Sequence, residues 1–137
     1  MTAFIDTNVF VYLVDPLAPA KRQRAMELIQ TLYLAGDATL STQVLQEFYN
    51  TATRKFGLPG DVAAEAAQAH ARGRVVRMSP DIVFSAMKRH TAGQFSFWDS
   101  LIVEAALSGG CKILYSEDMR HGQVVDGMTI ENPFLGI

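Results

Sequence analysis

Only one cysteine, Cys111, occurs among the 137 residues, which excludes an intrachain disulfide and any cysteine-rich zinc site. Its apolar surroundings mark it as a small buried hydrophobe rather than a nucleophile. No apolar run approaches the roughly 18 residues needed to span a bilayer, and no basic segment precedes an apolar one at the N-terminus. A soluble, cytoplasmic protein without membrane contact is expected. Histidine is equally scarce: three residues, at 70, 90 and 121, with no pair one helical turn apart, argue against a histidine-based zinc centre. Neither sign of charge prevails, since 12 Lys+Arg stand against 14 Asp+Glu. That balance lacks the basic excess usual in nucleic-acid binders, but the charges are unevenly placed. Arg72, Arg74, Arg77, Lys88 and Arg89 cluster with a single acid, Asp81, between them.

Repeats, low-complexity tracts and linker-like segments are also missing, so one continuous domain over residues 1–137 is expected. What is present is an ordinary globular composition, 49% apolar and 19% charged, in a chain long enough to bury a core without metal or disulfide staples. Short apolar runs alternate with amphipathic segments. Ala3-Phe4-Ile5 reads as a buried strand ending at Asp6, followed by a short helix from Thr7 to Val14. Pro19 opens a second helix with Met26, Ile29, Leu32 and Tyr33 inward and Gly36 past its end. Ala38-Thr39-Leu40 is a strand, and Ser41 or Thr42 caps a helix striped by Val44, Leu45, Phe48, Ala52 and Phe56. An alanine-rich helix follows Pro59, then a strand at Val75-Val76. Ser79-Pro80 starts a helix with Ile82, Val83, Ala86 and Met87 inward, and Ser96 caps another that ends at Gly109-Gly110. Strands at Lys112–Tyr115 and around Met128–Ile130 complete the pattern. Strands separated by helix-length segments imply right-handed crossovers, hence an α/β fold: a three-layer α/β/α sandwich on a mostly parallel sheet. Sites in such sheets form beyond the carboxyl ends of the strands.

Four acids stand where that rule directs attention. Asp6 directly follows the first strand and Asp118 lies three positions after Tyr115. Glu47 and Asp99 interrupt strongly apolar helix segments. A buried carboxylate needs a partner, yet no Lys or Arg stands one helical turn from Glu47 or Asp99. A divalent cation is the economical partner for all four, and an all-oxygen set suits Mg²⁺ or Mn²⁺. Each acid also has a plain structural role open to it: Asp6 as a helix cap, Asp99 as a first-turn acid, Glu47 on a solvated helix edge, Asp118 in a turn.

In Phe4-Ile5-Asp6-Thr7-Asn8, Ser41-Thr42-Gln43 through Glu47-Phe48, Phe97-Trp98-Asp99 and Leu114-Tyr115-Ser116-Glu117-Asp118, the chain resembles the PIN-domain nucleases, particularly the VapC-type toxins of bacterial toxin–antitoxin modules. The order and approximate spacing run over essentially the whole sequence. The resemblance implies a metal-dependent endoribonuclease whose acidic quartet is Asp6, Glu47, Asp99 and Asp118, with Asn8 and Ser116 as small polar supporters. Asp6, Asp99 and Asp118 are the expected metal ligands, and Glu47 is a ligand or the general base. Implied partners are an RNA substrate, a small antitoxin and a second copy of the chain in a homodimer. Two other classes stay open: a non-catalytic RNA- or protein-binding module that keeps the fold, and a metal-dependent phosphatase, although position 8 is Asn rather than a second acid.

The substrate surface is less marked. The arginines between 72 and 89 either line a groove or simply face water, as do Lys21, Arg22, Arg24, Arg54 and Lys55. Phe95, Phe97 and Trp98 either stack on bases or, as their apolar neighbours favour, pack in the core. For an antitoxin segment, Phe10, Val11, Val14, Leu45 and Tyr49 are the candidate docking residues, with core packing as the alternative.

Overall fold

Residues 1–137 are all described by the structure, a computed structural model. Six strands form one sheet: β1 (Ala3–Ile5), β2 (Ala38–Ser41), β3 (Arg74–Val76), β4 (Ile113–Tyr115), β5 (Val124–Val125) and β6 (Met128–Glu131). Their spatial order is β3-β2-β1-β4-β6-β5, parallel throughout except for the β5–β6 pair. The helices are α1 (Thr7–Val11), α2 (Pro19–Ala35), α3 (Thr42–Arg54), α4 (Gly60–His70), α5 (Pro80–Thr91) and α6 (Phe97–Ser108). Right-handed crossovers carry the chain from β1 outward to β2 and β3, so α1 to α4 cover one face; the return from β3 to β4 puts α5 and α6 on the other. The expected three-layer sandwich is the fold. None of these helices is long and apolar enough to cross a membrane.

The middle of the sheet is a hydrophobic slab because its inner strands are covered on both faces. Phe4, Ile5, Leu40, Leu114 and Ile130 are fully enclosed, which is why these short strands read as continuous apolar runs rather than alternating ones. On the α1–α4 side, Phe10 and Phe48 close around His70, with ring centroids 4.5 and 4.7 Å away. The His70 Nε2 is buried without a partner, and burial pushes the imidazole down to about 4, so at neutral pH it is an uncharged core residue.

Helix ends follow the cap signals. Ser41, Ser79 and Ser96 each accept a hydrogen bond from a backbone amide in the first turn of α3, α5 and α6. Ser79→Ala, which orphans the Ile82 amide, is expected to cost about 1 kcal/mol, measurable as a lower urea midpoint at unchanged slope.

Three expectations need correction. The helix predicted over Thr7–Val14 ends at Val11 and tightens into a 3-10 turn at Tyr12–Val14, because Asp15-Pro16 stops the chain from continuing. Met26 and Met87, predicted to face inward, are exposed; Ala25, Leu28 and Leu32 make the buried face of α2, and Ile82 and Ala86 that of α5. Strand β5 was not anticipated. It pairs antiparallel with β6 through Asp126-Gly127, both with positive φ, and that dipeptide is itself a hairpin signal.

Candidate active site

The chain reverses direction across the sheet between β1 and β4, which pair in parallel at its centre, and this switch point opens a crevice at their carboxyl ends. Asp6 leaves β1 there as the N-cap of α1, its Oδ1 accepting from the Thr7 amide at 2.7 Å. Its Oδ2 accepts from the Ser116 hydroxyl at 2.7 Å, just past the end of β4. The cap role foreseen for Asp6 is therefore real, and it fixes the carboxylate at the crevice floor.

The other acids arrive from three elements. Asp118 follows Ser116, whose Oγ accepts from the Asp118 amide at 3.2 Å, and the Asn8 side-chain amide donates to Asp118 Oδ2 at 2.9 Å. Glu47 descends from the second turn of α3, where its Oε1 accepts from the Thr7 hydroxyl at 2.6 Å. Asp99 sits in the first turn of α6, its amide held by the Ser96 cap at 3.1 Å. All four carboxylates thus gather at one sheet edge: Thr7, Asn8 and Ser116 tie Asp6, Glu47 and Asp118 in place, and Asp99 shares a groove with Asp118.

Electrostatics show how little compensates their charge. Asp6 is only 4% exposed, and burial, reinforced by the negative charges of Asp118 and Glu47, pushes its carboxyl up to about 7 despite the two hydrogen bonds it accepts. Asp99 is raised for the same reasons: burial first, then Asp118 and Glu47. No ion pair in the molecule involves any of the four. Gln43, 5% exposed and one turn before Glu47, has its Nε2 3.4 Å from Glu47 Oε2 and leaves its own Oε1 buried without a partner. An all-oxygen set with uncompensated charge and a spare acceptor suits a hard divalent cation. No three acidic, histidine or cysteine side chains stand close enough to enclose one ion by themselves, so an ion would take one or two carboxylates directly and reach the others through water, as Mg²⁺ commonly does.

A second network holds the loop that carries Asp118. Glu117 accepts from the Tyr12 hydroxyl and from Lys21 Nζ, each at 2.5 Å, and Lys21 also reaches the Tyr12 oxygen at 3.2 Å. Lys21, expected either to line a groove or to face water, is therefore a tie between α2 and the β4 loop.

The surface expectations divide. Arg72 precedes β3 and Arg74 opens it, which places both at the edge of the sheet opposite the acids; Arg74 is spent on Thr39 and the Gly109 carbonyl at the end of α6. Arg89 is engaged by Glu104 and Asp126. Arg77 and Lys88 remain exposed. Of the aromatics, Phe95 and Phe97 are half-buried but Trp98 is 63% exposed, against the core packing its neighbours favoured: α6 turns Leu101, Ile102 and Ala105 inward and leaves Trp98 outside. Phe10 is core and offers nothing to a partner, whereas Val11 and Tyr49 retain exposed surface. The sequence assigns no role to Thr7 or Gln43; their positions, one residue after Asp6 and one turn before Glu47 respectively, are the signal that could have found them.

A family profile described as "PIN domain" matches residues 3–126. Among solved structures, VapC20 of Mycobacterium tuberculosis, a sarcin-ricin loop cleaving toxin, superposes with a TM-score of 0.64 at 23% identity, covering 84% of this chain and 88% of that one. A toxin–antitoxin complex from Klebsiella pneumoniae gives 0.71 at 15% identity, over 97% of this chain and 98% of the other. DNA-bound VapBC from Salmonella typhimurium gives 0.69 at 14%, over 97% and 98%. At these identities the superpositions establish a shared fold. No curated protein sequence matches.

Proposed function

The chain belongs to the PIN-domain family, and from that premise we propose that it is a metal-dependent endoribonuclease acting as the toxin of a toxin–antitoxin module. The observation that carries this reading is the gathering of Asp6, Glu47, Asp99 and Asp118 at one sheet edge without a single basic partner. Asp6, Asp99 and Asp118 would hold Mg²⁺ or Mn²⁺ between them, in part through water. When bound, such an ion lowers the pKa of a water and neutralises phosphate charge. Thr7 and Asn8 orient Glu47 and Asp118, and Ser116 holds both Asp6 and the Asp118 amide, so the acids keep their places before substrate arrives. Glu47 retains lone pairs beyond the one engaged by Thr7 and accepts the proton of the attacking water. Water adds to phosphorus, the bond to the 3′ oxygen breaks, that oxygen takes a proton from solvent, and the products carry a 5′-phosphate and a 3′-hydroxyl. No histidine lines either groove beside the acids, so nothing there supplies a histidine pair for a cyclic-phosphate route.

The solved neighbours that are toxin–antitoxin complexes support a small antitoxin as partner, and VapC20, described as cleaving a sarcin-ricin loop, supports RNA as substrate. A homodimer and a cytoplasmic location belong to the same proposal. Val11, beside Glu47 on the crevice wall, offers apolar anchorage for an antitoxin segment. The deciding experiment is cleavage of end-labelled RNA by purified protein. Activity with Mg²⁺ or Mn²⁺, loss in excess EDTA and recovery on adding metal back are expected; cleavage undiminished by EDTA, or none with either metal, refutes the reading. The non-catalytic and phosphatase readings have no observation here that favours them.

A further inference from the structure

Two open grooves meet at Asp118. One, about 410 Å³, lies between α1 and α3 and is lined by Asn8, Val11, Glu47, Asn50 and Thr51. The other, about 470 Å³, lies between the N-terminus of α6 and the loop after β4, lined by Gln94, Ser96, Asp99, Arg120 and Gln123. The first contains no basic residue. The second contains one, Arg120, which is exposed and pairs with no acid although two carboxylates share its groove. Its backbone is fixed nonetheless. The preceding Met119 is buried at 7%, Gly122 N donates to the Ile130 carbonyl at 2.8 Å, and Ile130 N donates to the Gln123 carbonyl at 2.8 Å. An unpartnered guanidinium fork on an anchored loop, beside carboxylates that repel phosphate until their charge is offset, is poised to bind an anion.

Resting on the nuclease reading above, we propose that a single RNA strand crosses the site from one groove to the other, and that Arg120 grips a backbone phosphate flanking the scissile one. The two flanks are then recognised unequally. On the α6 side the strand is held through its charge by Arg120. On the α3 side no cation meets it: beyond Glu47 and Asp118 the lining is neutral, with the Asn50 amide and Thr51 hydroxyl available for ribose or base edges. Arg120 positions the strand and moves no proton, so its loss acts on binding rather than on chemistry.

The test compares Arg120→Gln, Arg120→Lys and, as a control at the opposite sheet edge, Arg72→Gln. Each is assayed for cleavage of a single-stranded RNA in Mg²⁺, and for binding of the same RNA across NaCl concentrations in an Asp6→Asn background. Arg120→Gln is expected to raise KM about fivefold with little change in kcat, and to flatten the salt dependence of log Kd by about 0.7, the share of one phosphate on a single strand. Arg120→Lys restores the slope, because the charge returns, but recovers KM only in part, because the fork does not. Arg72→Gln changes neither. An unchanged slope and KM overturn the assignment, as does an equal effect from Arg72→Gln, or a kcat loss at constant slope, which would mean a disturbed loop. Wild-type protein that binds RNA without cleaving it defeats the nuclease reading while the slope still judges Arg120; wild-type protein that binds no RNA defeats both.

Discussion

Asp6→Asn is expected to lower RNA cleavage by roughly a thousandfold or more while the protein stays folded. The substitution keeps the shape of the side chain and the acceptor for the Thr7 amide, so the N-cap of α1 survives. What it removes is the one carboxylate buried at the crevice floor, and with it the strongest claim on a cation. Glu47→Gln is the informative companion. If Glu47 takes the proton from water, its loss suppresses turnover at unchanged metal affinity, whereas Asp6→Asn weakens metal binding measured by calorimetry. Full cleavage by Asp6→Asn in an assay that still needs Mg²⁺ would remove Asp6 from the chemistry. Unfolding of the variant, read by circular dichroism, would make it primarily a structural cap.

The second large effect concerns stability against pH in the metal-free protein, where two buried groups pull in opposite directions. Asp6 has a folded pKa of about 7, above its ordinary 3.8. Its burial is therefore harmless below the unfolded value and costs progressively more as pH rises through about 7, on the order of 4 kcal/mol in all. His70 has a folded pKa of about 4, below its ordinary 6.5. Its burial is harmless above the unfolded value and costs on the order of 3 kcal/mol as pH falls through about 4. Between pH 4 and 6.5 the two slopes nearly cancel, so the wild-type urea midpoint in EDTA should vary little. Asp6→Asn removes one of them. Its midpoint should climb steadily from pH 4.5 to 6.5 and exceed the wild-type value at pH 7.5, while Mg²⁺ should raise the wild type alone. Parallel pH profiles for the two proteins would show that Asp6 is not strained by its burial.

Why the acids were visible before the fold follows from what burial demands. Asp6 and Asp118 follow short apolar runs, and runs of that kind in an alternating pattern become central parallel strands whose carboxyl ends share an edge. Glu47 and Asp99 stood out because nothing basic lay within a turn of them. By contrast, Trp98 and Phe97 are adjacent in sequence and alike in type, yet one is exposed and the other half-buried. Only the rotation of α6 against the sheet separates them. Arg72 and Arg120 show the same limit. The first belonged to a conspicuous basic run and lies at the far edge; the second stood alone and lines the acidic groove.

Sequence by itself determined the layer architecture, the parallel sheet and the helix caps, and it singled out the four acids, because each depends on local periodicity or on chemistry within one turn of the chain. Tertiary structure alone decided the strand order that seats β1 beside β4, the Tyr12–Lys21–Glu117 tie and the pairing of Thr7 with Glu47. It also decided which cations are consumed by partners and which one stays free beside the carboxylates. Most of those outcomes join residues far apart in the chain, such as Thr7 with Glu47 or Ala3 with Ile113, and no local rule carries that distance: they follow from how two helical layers close over one sheet.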